Sequence, residues 1–502
     1  MTGACDWLEI PSVEEVKQAY AALGEFDYVV PGGGHGAAAV SRALLDRGYT
    51  VAGVANPVDE GGHSAKIRWE LYRRFGYWTI IPGDTMNLLG GGFANEAVYA
   101  VTNSRLPKDV GNKHAGQVFG EAVDKVMAAR AEADRPVLEG FKQFVTALGD
   151  CAQRELVDTG IASLSGASFQ NVLHAAVMVH VGAYREGIAV LDQDRYLVGS
   201  YLLERAMEAA PRGTVLPMSF DKVTLVTKHA GGRTVVGGIN RVLLAKGLGE
   251  NGLEYGDLVP NAMLPSAAAE SREQEARKLA AASVVDWYAA EVEHGPLSEA
   301  FNNDWVFKEV RPLRPRMNPQ LVEVMRALKP GGALVIPPGN AHESTYTFFL
   351  LDGVLEEIEA VRARGVRVIV VCNPLNLLLT AGYGVSDYLR SIEQALCQAT
   401  GGRKVGIEEV VDKVVVNDSS GAPERVQRMM RGEGIPPEVK QELLHRTPTG
   451  PVAVTPEEMA ALRGRGIEVV SKEMLKIERV SIRGIETEAV SYDRSALLEA
   501  LL

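Results

Sequence analysis

The chain has 502 residues, 46% hydrophobic and 23% charged, with a formal net charge of −12. That composition is of a folded protein with a sizeable core, not a disordered chain, and its excess acidity excludes nucleic acid as an expected partner, because a polyanion would be repelled. Apolar runs such as Val366 to Cys372 stop well short of the ~20 residues a spanning helix needs, the start of the chain (Met1 to Glu9) carries Asp6 and Glu9 instead of a basic and then apolar segment, and Cys5, Cys151, Cys372 and Cys397 form no C-x-x-C pair. No membrane span, secretory signal, zinc site or disulfide framework is therefore expected, and the expected compartment is the cytoplasm.

In chain order, Ser12-Val13-Glu14-Glu15 has the form of a capping box and opens a leader helix within residues 1–25. Phe26 to Val30 is a short apolar run ending in glycines, Ala37 to Arg47 is helix-forming and stopped by Gly48, and Thr50 to Ala55 is apolar again. This order predicts a βαβ unit with short connections. About 91–160 the chain lacks strand-like alternation and predicts a helical layer. Val223 to Thr227 and Thr234 to Val236 flank Gly231-Gly232 as a hairpin. About 246–310 reads as an insertion, with a helix expected from Glu275 to Glu293. The α/β rhythm returns with strands at Ala333 to Ile336 and Val366 to Cys372. It closes with a second capping box, Thr455-Pro456-Glu457-Glu458, followed by a strand from Ile467.

The chemistry gathers where strands end. Pro31-Gly32-Gly33-Gly34-His35-Gly36 lies between an apolar strand and a helix, where free backbone N–H groups and the helix dipole suit a phosphate and glycine lets the backbone come close. Gly34 to Ala39 also fits G-x-G-x-x-A, which keeps an NAD(P)-dependent oxidoreductase in view, although Asn56 stands where that class wants a ribose-binding carboxylate. After the second strand, Asp59, Glu60, Gly61, Gly62 and Ser64 form an acidic, glycine-bearing loop at the sheet edge that binds ligands in open α/β folds. Asp59 and Glu60 are candidates to hold Mg²⁺ or to take a proton from an attacking hydroxyl; the alternative is a solvated acidic loop. Lys66 and Arg68 are candidates to neutralise phosphate. Pro82-Gly83-Asp84 with Asn87 adds a further carboxylate, as a metal ligand or as a helix N-cap. Ser168 and Asn171 are either caps or ligands.

Together these motifs resemble a family that joins 2-phospho-L-lactate transferases to gluconeogenesis-factor proteins. Its members carry a triple-glycine turn, an Asp-Asp-Gly-Gly loop followed by Ser, a Pro-Gly-Asp turn, a Gly-x-x-x-Gly-Asn segment and a Gly-Pro-Gly-Ser turn. The corresponding stretches here are Gly32 to Gly36, Asp59 to Ser64, Pro82 to Asp84, Gly166 to Asn171 and Pro337 to Asn340, with Cys372-Asn373-Pro374 and Gly382 to Asp387 further along. Glu60, His35, Gln170 and Asn340 depart from the family pattern and point to a divergent subgroup. The resemblance implies a doubly wound, mostly parallel α/β sheet of Rossmann-like type with helical additions, forming one elaborated domain over 26–502. It implies ligand contacts from Gly339, Asn340 and Asn373 as well as the glycine turn, and metal held by Asp59 and Asp84. The implied activity is transfer of a substituted phosphate from a nucleoside-diphosphate-linked substrate to a hydroxyl, with release of a nucleoside monophosphate. The alternative is a non-catalytic nucleotide-sugar-binding regulator. A homodimer is one assembly the sequence leaves open, without fixing the oligomeric state.

Overall fold

Phe26–Pro31 (β1) is too short and too thoroughly buried for anything but an inner strand, and the chain turns directly out of it into a helix. The computed structural model describes residues 9–56, 67, 70, 71, 74, 82–184, 191–221, 223–230, 234–236, 284–294, 307–420, 422–430, 449–452, 454–482 and 485–502. These fall into two compact units, one of residues 1–220 with 318–329, the other of 221–317 with 330–502.

In the first unit the leader helix α1 (Val13–Ala21) opens with the expected capping box: the Glu15 N–H donates to Ser12 Oγ at 3.2 Å, and the Ser12 N–H donates to Glu15 Oε2 at 2.7 Å. β1 leads into α2 (Gly34–Leu45), and β2 (Val51–Ala55) follows parallel to β1, with Tyr28 opposite Val51 and Pro31 opposite Val54. α3 (Pro82–Leu88) runs on into a π-helical turn, Leu89–Phe93. The expected helical layer then appears as α4 (Glu96–Thr102), α5 (Ala115–Met127) and α6 (Arg135–Ala152). α5 and α6 cross at glycine: a β-carbon on Gly149 would overlap the backbone of Gly116. α7 (Phe169–His180) and α8 (Gln193–Ala206) lead to β3 (Gly213–Pro217), which extends the parallel pairing with Val51 opposite Gly213. α9 (Pro319–Arg326) is tied back by Asn318 Nδ2, which donates to the Pro217 carbonyl at 2.9 Å.

The second unit holds an antiparallel sheet in the order β5-β4-β6-β7, built from β4 (Thr224–His229), β5 (Thr234–Val236), β6 (Val284–His294) and β7 (Phe307–Pro312). β4 and β5 pair antiparallel as the hairpin reading expects. The expected helix from Glu275 to Glu293 is overturned over its described part, since Val284 onward is strand. Helix-forming alanines and glutamates lose there to a Val-Val-Asp-Trp-Tyr pattern that buries Val284, Trp287 and Ala289 and pairs with strands on both sides. The parallel strands of this unit are β8 (Leu328–Ile336, whose first two residues belong to the first unit), β9 (Arg367–Val371), β11 (Lys413–Asn417) and β13 (Glu468–Lys472). A short pair, β10 (Leu375–Asn376) with β12 (Gly450–Pro451), and a hairpin, β14 (Leu475–Ile482) with β15 (Ile485–Tyr492), lie outside that sheet. The helices are α10 (Val354–Ala363), α11 (Val385–Ala399), α12 (Glu424–Met430), α13 (Pro456–Gly464) and α14 (Arg494–Leu501). The antiparallel sheet rests on α11, where Trp287 Nε1 donates to the Ser391 carbonyl at 3.3 Å and Gln398 both accepts from and donates to the Ala289 backbone.

The main sheet has seven parallel strands, flanked by helices, in the order β13-β11-β9-β8-β1-β2-β3. Strand order reverses direction about its middle, which is the doubly wound arrangement expected from the sequence.

Candidate functional site

The glycine turn follows β1 and opens α2. Gly32 sits at φ +140° and Gly34 at φ +70°, backbone that residues with a β-carbon rarely adopt. Gly33, at the helix N-cap, has no side chain and so makes no side-chain cap bond. Gly32, Gly33 and Gly36 are buried, while His35 is exposed on the first turn.

Asp84 comes to this turn from 50 residues downstream. It is not an N-cap but the third residue of α3, in the first turn of that helix and 5% exposed. Its carboxylate lies directly over Gly33, so closely that a β-carbon there would fall 2.1 Å from Asp84 Cγ and Oδ2. The backbone turn and the carboxylate therefore meet only because residue 33 has no side chain. Behind α3 the π-helical turn packs on α2, where a β-carbon on Gly92 would crowd Ser41 and Ala38. Small residues on both elements set how near Asp84 comes to the turn.

Two side chains that sequence alone did not assign complete this region. Asn87, one turn after Asp84 on α3, accepts a hydrogen bond at 2.9 Å from Gln170 Nε2 on α7. Asn171, the next residue, is 4% exposed in the first turn of α7, so it is a helix-interior residue, while Ser168 holds the N-cap position without a side-chain bond. Further along α7, His174 Nε2 lies 3.1 Å from the Tyr196 hydroxyl, and burial holds the imidazole down to about 3, neutral at ordinary pH. The signal for the amide pair lay in the spacing Asp84 to Asn87, three residues on one helix face, but nothing local points from Asn87 to residue 170.

In the second unit, Gly339 and Asn340 follow the C-terminal end of β8. Asn373, after β9, grips Gly339 from both sides: its Oδ1 accepts from the Gly339 N–H at 2.6 Å, and its Nδ2 donates to the Gly339 carbonyl. Asn340 Nδ2 donates to Glu343. The structure thus brings Gly339, Asn340 and Asn373 together, with the Asn373 amide committed to shaping the turn. Asp59, Glu60, Gly61, Gly62, Ser64, Lys66 and Arg68 lie outside the described residues. Asn56, which follows β2, is fully buried and supplies no ribose-binding carboxylate. Cys372 is buried packing, its thiol pushed up to about 12 by burial.

Among the described residues no helix is long and apolar enough to cross a membrane. No curated protein matches the chain. Two crystal structures of a UPF0052-family protein from Bacillus halodurans share the fold: one is 18% identical with a TM-score of 0.51, the other 17% identical with a TM-score of 0.50. Each covers 95% of this chain and 99% of its own. The family described as 2-phospho-L-lactate transferase CofD matches residues 200–447. With that match, and a doubly wound parallel sheet shared with the solved structures, the chain resembles the CofD-like family.

Proposed function

We propose that the protein is a transferase that moves a substituted phosphate group from a nucleoside-diphosphate-linked substrate to an acceptor hydroxyl. The observation that carries this reading is the buried Asp84 carboxylate set on Gly33, in a glycine turn at the N-terminus of α2, the kind of helix end that favours an anion. The match to a transferase family supports it. In the reaction the acceptor oxygen bonds to phosphorus, the bond from phosphorus to the nucleoside monophosphate oxygen breaks, and the hydroxyl proton passes to the Asp59 carboxylate, with Glu60 assisting. The backbone N–H groups of Gly33, Gly34 and Gly36 bind the diphosphate, with Gly32, His35, Gly61, Gly62, Ser64, Lys66 and Arg68 around it, and stabilise the charge that develops as the bond breaks. Asn171 is assigned to the remainder of the substrate.

Oxygen donors of this kind fit Mg²⁺, a hard cation commonly held by one or two carboxylates together with substrate phosphates and water. Among the described residues no group of three or more His, Cys, Asp or Glu forms a self-sufficient metal cluster. Asp84, with Asp59, would hold the ion, which when bound neutralises diphosphate charge.

The test is a paired measurement on wild type, Asp59→Asn and Asp84→Asn: nucleoside diphosphate affinity with and without Mg²⁺, and nucleoside monophosphate release with a pool of hydroxyl acceptors. The expected result is metal-dependent binding that both substitutions weaken and turnover that Asp59→Asn stops. The loss should be several powers of ten, since each ~1.4 kcal/mol of barrier is tenfold in rate. Metal-dependent binding with no monophosphate release from any acceptor would favour a nucleotide-binding regulator. Binding indifferent to metal and to both carboxylates would overturn the proposed site.

A further inference from the structure

Gln170 makes one hydrogen bond where its amide can make several. Its Nε2 donates to Asn87 Oδ1 at 2.9 Å, which orients the amide, and among the described residues its Oε1 has no hydrogen-bond partner. The residue is only 8% exposed, so that oxygen is also cut off from bulk water. A buried acceptor without a donor is costly and is retained where something else supplies the donor.

The position of the amide says what that something is. Asn87 and Asp84 are three residues apart on α3, hence on one face and about 5 Å apart along it, and Asp84 is the residue that rests on Gly33. Gln170 is thereby held to the face of α3 that carries Asp84, about one helical turn from the residue that rests on the glycine turn. Phosphate oxygens have no proton to give at neutral pH. A ribose hydroxyl or a nucleobase N–H does.

We propose that Gln170 Oε1 accepts a hydrogen bond from the nucleoside portion of the ligand and so selects which nucleoside diphosphate binds, with Asn87 as the positioning residue that holds the amide in that orientation. The idea rests on the glycine turn as the diphosphate site. Rejection follows from the same chemistry: a nucleoside that places an acceptor or a bare carbon against this oxygen leaves it buried and unpaired.

Calorimetry on the full chain tests this, with Mg²⁺ present and with ADP, GDP, UDP and CDP, their 2′-deoxy forms, and inorganic pyrophosphate as probes. Gln170→Leu keeps the volume and removes the acceptor. Gln170→Gly is a second variant in case leucine is not accommodated, and thermal denaturation confirms that each is folded. For the nucleoside diphosphate the wild type binds best, both variants should lose about tenfold in affinity while pyrophosphate affinity is unchanged. A loss that vanishes with the 2′-deoxy form places the donor on the ribose, and one that persists places it on the base. Nucleotides that bind wild type and both variants with the same ranking and within about twofold overturn the role of Gln170 alone. A wild type that binds neither pyrophosphate nor any nucleoside diphosphate overturns the diphosphate site and this inference with it.

Discussion

A single missing β-carbon holds the candidate site together. Gly33 has ordinary extended backbone, so any residue could adopt its φ, and what excludes other side chains is the Asp84 carboxylate packed upon it. Gly33→Ala should therefore displace α3 from the turn or fail to pack, costing about 1–3 kcal/mol as overpacking does, and abolish pyrophosphate and nucleotide binding. Chemical denaturation and calorimetry on the same variant check the two parts. Removing the opposing carboxylate as well, with Gly33→Ala in an Asp84→Ala background, should recover stability without recovering binding. Stability that stays low in the double variant would mean that the clash is elsewhere. Gly34 is constrained differently, by its φ of +70°, so there the penalty should persist whatever stands at position 84.

At the scale of elements, two contacts carry specific expectations. α5 and α6 touch backbone to backbone at Gly116 and Gly149, and Gly149→Val would drive them apart across buried Val118, Phe119, Phe144 and Val145. A loss of at least about 2 kcal/mol is expected, read as a fall in denaturant midpoint with little change in slope. The second contact is the buried carboxylate of Glu204 on α8, which accepts from the Val215 N–H at 2.8 Å and from Thr214 Oγ1 at 2.9 Å and so fastens the helix to β3. Burial raises its pKa to about 7, against the lowering effect of those donors and of Tyr20. A raised carboxyl pKa means the folded state holds a proton that the unfolded chain gives up. Stability from this group is thus full below the ordinary carboxylate range and is lost as pH rises toward about 7. Between pH ~5 and ~8 the wild type should lose on the order of 2 kcal/mol that Glu204→Gln, which keeps the acceptor oxygen, does not lose. Parallel pH profiles for the two proteins would show that Glu204 is ionised in the fold throughout.

For the whole molecule, each unit carries a buried neutral histidine, and both push stability the other way. His174 in the first unit and His342 in the second are fully buried, and burial lowers each to about 3, with His229 adding to the effect at His342. His342 is set among Trp287, Tyr383 and the Ser391 hydroxyl. Because the unfolded chain binds protons that these imidazoles refuse, stability is complete above pH ~6.5 and falls as pH drops toward 3. Acidification from pH ~6.5 to ~5 should cost up to about 2 kcal/mol per histidine. A His174→Gln/His342→Gln variant, less stable at pH 7, should show a visibly shallower acid limb in thermal denaturation. An unchanged acid limb would assign the loss to other groups.

The elements that local pattern determines were legible in the sequence. The Ser12 and Thr455 capping boxes, the β1–turn–α2 unit, the hairpin of β4 and β5 and the α/β alternation all rest on residues within a few positions of one another. The motifs of the glycine turn were legible for the same reason. Tertiary structure decided what depends on distant partners. β6 is a strand because Trp287 docks on α11 and two neighbours pair with it, which outweighs the helix preference of its alanines and glutamates. Asp84 became part of the turn, and not a cap, because α3 approaches α2 through small residues, and Gln170 faces Asn87 because α7 returns to α3 after some 80 residues of intervening helices. Spacing along a chain carries periodicity, but which side chains share a site is set by long-range packing, where the free energy of bringing two helices together exceeds any local preference of the residues that meet.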